Sequence, residues 1–266
     1  MSLWLLGGHD PTHGAGLYRD LITARSLAPA LPRWFAVTAM TEQGRGRPAR
    51  AWSVPADRLR ARVSRWPRPT AIKIGLVPDA LAADVATLVR GMAAPVVVDP
   101  VLRASDGGSL GATAEGLAPL LTVATVITPN RSEAHALLGG VEWEPALGST
   151  HPTHPTDEPV VHALGRRFGH AAVLLKDGHG SDLTRVHDRL IQGSRVLALT
   201  RPRRQGPDPR GTGCALATAV AVHLAQGEPV DVAVRRAIAW LDRARLRWIP
   251  GPDGRAHLPD YEPTKQ

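Results

Sequence analysis

The sequence predicts an α/β domain built on a mostly parallel sheet with helices on both faces. Three observations predict it. Short β-rich apolar runs alternate with segments of helical spacing. The runs close on Gly, Pro, Asn or Asp. The unusual polar residues gather just after the runs, where open α/β sheets bind their ligands. The chain has 266 residues, 43% of them apolar and only 4% aromatic, so its core is expected to be mostly Ala, Val, Leu and Ile.

Taken in order, LWLL (3–6), WFAVTA (34–39), TAIKI (70–74), PVVVD (95–99), TVITP (125–129) and AVLLK (172–176) read as strands. LAADVATLVRGM (81–92) places Leu81, Val85, Leu88 and Met92 on one helical face. A second helix is expected after Asn130, a good N-cap, over 132–139. Residues 40–54 read as a small hairpin or flap at the sheet edge. Residues 141–159, rich in Pro, Thr and His, read as a surface loop in which His151 and His154 give only a weak metal-ligand spacing. One domain over residues 1–249 and a C-terminal tail over 250–266, without periodicity, are expected.

Net charge is +8, carried almost wholly by arginine; the lysines are Lys73, Lys176 and Lys265. The arginines are spread over several segments, as in Arg58, Arg60, Arg62 and Arg65 or Arg235, Arg236, Arg243 and Arg245. A nucleic-acid binder would concentrate them on one element, so a solvated arginine-rich surface is expected and no nucleic-acid partner. One cysteine excludes an internal disulfide framework and a multi-cysteine zinc site. No run approaches the roughly 20 apolar residues of a membrane span, and MSLWLLGGHD does not read as a signal peptide, so a cytoplasmic protein without membrane attachment is expected.

That single cysteine stands in RGTGCALATAVAVHLAQG (210–227). ALATAVAVHLA suits a helix buried on several sides, with Gly227 as its stop. Gly211, Thr212, Gly213 and Cys214 then form a loop entering a helix N-terminus, where free N–H groups make an anion site. A thiol there is expected to have a lowered pKa. The competing reading is a small buried hydrophobe.

Several segments, in order, resemble the hydroxymethylpyrimidine and hydroxymethylpyrimidine-phosphate kinases of thiamin synthesis, within the ribokinase-like superfamily. GTGC resembles their anion-hole loop. GGHDPTHGAG (7–16), GLYRDL (16–21), VTAMTEQ (37–43), AIKIG (71–75), VVDPV (97–101), VITPNRSEA (126–134) and LLKDGHG (174–180) resemble further family motifs. The resemblance implies a three-layer αβα fold and ATP-dependent phosphorylation of 4-amino-5-hydroxymethyl-2-methylpyrimidine, then of its phosphate. It implies that Gly8, Asp20, Gln43, Leu76 and Val101 line the pyrimidine pocket. Asp99 and Glu133 would hold Mg2+, and Asn130, Lys176 and Arg210 would lie near the ATP phosphates. Gly211, Thr212, Gly213 and Cys214 would bind the transferring phosphoryl group. A homo-oligomer, as a dimer, is also implied. A pyridoxal or pyridoxine kinase is the nearest alternative, and a degenerate kinase acting as a pyrimidine sensor is another.

The chain departs from the family pattern at specific positions. Asp177 replaces a glycine after Lys176, and ASDGGSLG (104–111) lacks the usual lysine and carries its acid at Asp106. His9 and His13 stand in the first glycine motif. Arg210 replaces the usual histidine before GTGC.

Overall fold

A computed structural model describes residues 1–44, 47–104, 107–140, 158–178, 180 and 182–260. Of β2 and β3, the side chains of residues 43, 44, 47 and 48, Gln43 among them, lie outside this description. So do Asp106, His179 and the expected loop with His151 and His154, over its residues 141–157.

Nine strands form one sheet in the order β3-β2-β1-β4-β5-β6-β7-β8-β9. The six expected apolar runs are β1 (Leu3–His9), β2 (Arg33–Gly44), β4 (Ala71–Ile74), β5 (Val96–Val98), β6 (Val126–Ile127) and β7 (Ala172–Leu175). All six pair in parallel. Antiparallel ribbons close both edges. β3 (Arg47–Ser53) turns back on β2, which makes the expected hairpin. On the other side β8 (Arg185–Gln192) pairs with β7, and β9 (Arg195–Pro202) with β8.

Period-two alternation divides the core between the two faces. Trp4, Leu6, Ile72, Ile74, Val96 and Val98 point to the face covered by α2 (Ala56–Val63), α3 (Asp79–Val89), α4 (Ala118–Leu121), α5 (Arg131–Leu137) and α6 (Glu158–Arg167). Leu3, Leu5, Ala71 and Val97 point to α1 (Gly16–Leu27), α7 (Thr212–Ala225) and α8 (Val230–Arg245). This is the three-layer αβα arrangement. α7 is buried almost all round, as its run of Ala, Val and Leu requires. α2 turns Leu59 and Val63 inward and Arg58, Arg60 and Arg62 outward, and α8 likewise exposes Arg235, Arg236 and Arg243. Among the described residues no helix is long and apolar enough to cross a membrane.

Over residues 250–258 the expected tail instead packs on the domain. β10 (Ile249–Pro250) and β11 (Ala256–His257) form a short antiparallel ribbon, and Leu258 is buried in the core shared by α1, α7 and α8.

One polar feature crosses that core. Lys73, between Ile72 and Ile74, points by its parity to the α1 and α7 side and is fully buried. Its Nζ donates to Asp20 Oδ2 of α1 at 2.7 Å, and Thr218 Oγ1 of α7 donates to Asp20 Oδ1 at 2.8 Å. Burial pushes the Lys73 ammonium toward neutrality, but the charge of Asp20, helped by Asp99, outweighs it and holds the pKa above the ordinary lysine value. Removing one member of such a pair leaves an uncompensated buried charge, which costs about 3–5 kcal/mol, whereas replacing both with apolar groups is often neutral. Lys73→Met is therefore expected to lose about 3–5 kcal/mol in urea unfolding, and Lys73→Met with Asp20→Met to regain most of it.

Candidate active site

The carboxyl ends of the parallel strands meet the N-terminus of α7. Gly211 is its N-cap and lies in the left-handed region, with φ of 76°. A Cβ there would overlap the Gly14 carbonyl oxygen, so only glycine permits both the turn and the approach. Among the described residues no side chain caps α7. Its first N–H groups and the positive end of its dipole are left to face the cleft.

Two charged groups converge on this turn. A Cβ on Gly213 would lie 3.3 Å from Lys176 Nζ and 3.9 Å from Asp99 Oδ2. Lys176 Nζ donates to Asp99 Oδ1 at 3.0 Å, and Thr128 Oγ1 donates to the same oxygen at 3.1 Å. Burial raises the Asp99 carboxyl, but Lys176 and Lys73 pull it below the ordinary aspartate value. Asn130 and Glu133 form a capping box on α5: Asn130 Oδ1 accepts from Glu133 N at 2.9 Å, and Glu133 Oε2 accepts from Asn130 N at 2.7 Å. Burial, with the Asp99 charge added, pushes the Glu133 carboxyl up to about 7 against the opposing pull of Lys176. The bridge between Asn130 and Lys176 joins the ends of β6 and β7.

Cys214 follows in the first turn of α7, half-buried. The expected lowering of its pKa is overturned. Burial pushes the thiol up to about 12; Lys73 opposes this, while Asp99 and Asp20 add to it. The helix N-terminus does not prevail because burial disfavours the thiolate, with two nearby carboxylates adding to it.

Among the residues expected to line the pyrimidine pocket, Gly8 and Leu76 are in contact: a Cβ on Gly8 would come within 2.8 Å of Leu76 Cδ2. Val101 packs against the same apolar cluster, partly buried. Thr38 Oγ1 donates to the Leu76 carbonyl and ties β2 to this wall. Asp20 lies deeper than the resemblance implies. It is fully buried, and Lys73 and Thr218 take one oxygen each, so it supports the pocket from beneath.

Three departures from the family pattern find physical partners. Asp177 is buried and turns toward Arg131, whose Nε lies 2.5 Å from its Oδ1, while its Oδ2 accepts from His187 N at 3.2 Å. Its charge is balanced within the fold. His13 takes a φ of 61°, uncommon for a non-glycine residue, and stacks on Tyr18 with ring centroids 4.4 Å apart. Arg210 sits beneath the anion-hole loop. Its guanidinium bonds Asp10 at 3.2 Å and Asp253 at 2.7 Å. The implied place beside ATP phosphates is thus replaced by a place among carboxylates of the fold. Lys73 was not among the expected site residues; the available signal was a lysine inside the apolar run AIKI.

The chain's family is shown by its similarity to known proteins. A sequence model described as phosphomethylpyrimidine kinase matches residues 10–251. The hydroxymethylpyrimidine/phosphomethylpyrimidine kinase of Streptomyces coelicolor is 36% identical over 253 residues, covering 92% of this chain and 88% of that protein. The thiamine biosynthesis bifunctional protein ThiED of Geobacter sulfurreducens is 32% identical and covers 97% of this chain, which spans only 51% of that longer protein. In three dimensions, pyridoxal kinase from Staphylococcus aureus in complex with ADP superposes with a TM-score of 0.81 at 24% identity, covering 99% of this chain and 94% of that one. Phosphomethylpyrimidine kinase from Clostridium difficile 630 gives 0.68 at 22%, covering 92% and 99%. At such identities these two likenesses speak to the fold alone. The matched span runs from Asp10, in the loop after β1, through the cleft and past α8, and on it the chain belongs to the phosphomethylpyrimidine kinase family.

Proposed function

We propose that this chain is an ATP-dependent kinase of thiamin synthesis. It transfers the γ-phosphoryl group of ATP to the hydroxymethyl oxygen of 4-amino-5-hydroxymethyl-2-methylpyrimidine, and then a second phosphoryl group to the monophosphate. The observation that carries this reading is the convergence of Lys176 and Asp99 on Gly213 at an uncapped helix N-terminus, on the cleft where Gly8 meets Leu76. A hydroxyl held in that cleft faces a phosphoryl group lying on the first N–H groups of α7. The new O–P bond forms as the bond to the β,γ-bridging oxygen breaks and ADP leaves, and the hydroxyl proton passes to an oxygen of the transferred phosphoryl group and on to water.

Phosphoryl transfer of this kind demands positioning and charge neutralisation more than a strong base. The structure is suited to that division of labour. Gly8, Leu76, Val101 and Gln43 would define the pyrimidine pocket, with Asp20 fixing its floor. Asn130 and Lys176 would engage the ATP phosphates. The N–H groups of Gly211, Thr212, Gly213 and Cys214 would receive the charge that develops on the transferring group. A thiol raised to about 12 is protonated near neutrality, so Cys214 would donate to that charge.

Asp99 and Glu133 fit a magnesium ion by the chemistry of their donors. Both are hard carboxylates, and each has one oxygen outside the bonds to Lys176, Thr128 and the capping box. Mg2+ commonly takes one or two carboxylates and completes its shell with phosphate oxygens and water. When bound, it would neutralise charge on the ATP phosphates.

The exposed Trp34, Phe35, Met40 and Trp52 lie on the β2–β3 edge. We further propose that two copies pair there. Sedimentation velocity at micromolar concentration is expected to show a dimer, and a monomer would contradict the pairing.

The direct test of function is incubation with ATP, magnesium and the pyrimidine, followed by mass spectrometry. Mono- and diphosphate products are expected, and folded protein giving neither would refute the reading. A higher kcat/KM for the pyrimidine than for pyridoxal is expected; the reverse ratio would move the assignment to a pyridoxal kinase. The protonated state of Cys214 is tested by alkylating the chain's single cysteine. The iodoacetamide rate is expected to keep rising above pH 9.5, where a free thiol with pKa of about 8.5 has levelled off. A plateau by pH 9 would show a thiolate instead.

A further inference from the structure

The loop carrying the anion hole does not hold itself. Gly211 rests on the Gly14 carbonyl, and one residue earlier the chain is tied to two distant segments. Arg210 N donates to the Ala256 carbonyl of β11 at 2.8 Å. The Arg210 guanidinium, almost wholly buried, donates to Asp10 Oδ2 at 3.2 Å, to Thr12 Oγ1 at 2.9 Å and to Asp253 Oδ2 at 2.7 Å. Asp10 in turn accepts from Thr12 N and Ala15 N, both at 2.9 Å, and so shapes the loop after β1. Asp253 Oδ1 pairs with His257 Nε2 at 2.9 Å, and the His257 ring lies between Gly14 and Gly251. Burial pushes the Asp253 carboxyl up, but Arg210, the Arg255 N–H and His257 outweigh it and hold it down at about 2, so Asp253 is ionised near neutrality.

We infer that Arg210 and the 249–258 ribbon form a clamp that positions the anion hole, and that Arg210 acts through Gly211, Thr212 and Gly213 without touching a phosphate. A guanidinium already bonded to two carboxylates and a hydroxyl has little left to offer a ligand. Its planar fork reaches all three partners at once, which a lysine ammonium cannot reproduce. The inference rests on reading residues 211–214 as the phosphoryl site.

Two single variants and their combination test it: Arg210→Lys, Asp253→Asn, and both. Misplacing the N–H groups by a fraction of an ångström is expected to lower kcat about tenfold to a hundredfold in each single variant. KM for ATP should stay within about twofold, because the lost interaction belongs to the transition state. The double variant should lose little more than the worse single one, since all three break one network. Iodoacetamide labelling of Cys214 gives a readout without turnover. It should be about tenfold faster in both single variants and independent of low urea, the mark of local opening. A raised KM for ATP in Arg210→Lys with wild-type kinetics in Asp253→Asn would overturn the clamp in favour of direct phosphate contact. Unchanged labelling in both, or faster labelling that climbs steeply with urea, would also overturn it. If the wild-type chain phosphorylates no pyrimidine, the functional reading fails and labelling alone decides the clamp. If Arg210→Lys does not fold, Asp253→Asn carries the test, since its side chain is partly exposed.

Discussion

A helix made of Ala, Val and Leu and buried on nearly every side must still begin somewhere, and its first N–H groups need an acceptor. α7 begins at Gly211 with no side-chain cap, in a left-handed turn pressed on the Gly14 carbonyl. Everything around the cleft follows from that unsatisfied end. It favours a negative group, and the residues placed beside it can bring one in and balance it.

The charges are arranged in two layers. Above the floor, Lys176 and Asp99 face Gly213, with Glu133 held nearby by its capping box. Below it, Lys73 and Asp20 form a fully buried pair that links β4 to α1, with Thr218 adding α7. The lower layer has no access to solvent in this structure. Its role is to fix the relative positions of the elements that carry the upper layer. It also helps explain the thiol. Cys214 feels Asp20 and Asp99 as well as Lys73, and burial with two carboxylates outweighs one ammonium and a helix dipole.

Much of this was legible in the sequence because it depends on local pattern. Apolar runs closed by turn residues gave the six parallel strands, and Asn130 before a helical run gave the capped α5. The motifs also picked out residues that meet in the fold, Gly8 with Leu76, and Lys176 and Asp99 with Gly213. What escaped depends on distant partners. β8 and β9 form an edge ribbon whose outer strand is largely exposed, so their apolar alternation is weak; the signal missed was the two-residue link Gly193-Ser194, with Gly193 at a φ of 59°. Arg210 reads as a phosphate ligand from its place beside GTGC, but Asp253 lies 43 residues away and claims its guanidinium. The direction of the Cys214 shift likewise rests on burial under distant elements, with Asp99 and Asp20 adding to it, and no local rule at a helix N-terminus supplies that.

The central claim is that the backbone of α7's first turn receives the transferring phosphoryl group. Amide NMR of 15N-glycine-labelled protein tests it most directly, with ADP, magnesium, aluminium fluoride and the pyrimidine added as a mimic of the transfer state. The account predicts that the Gly211 and Gly213 amide protons move downfield together as the mimic binds. Binding of the mimic with both amides unmoved would contradict it.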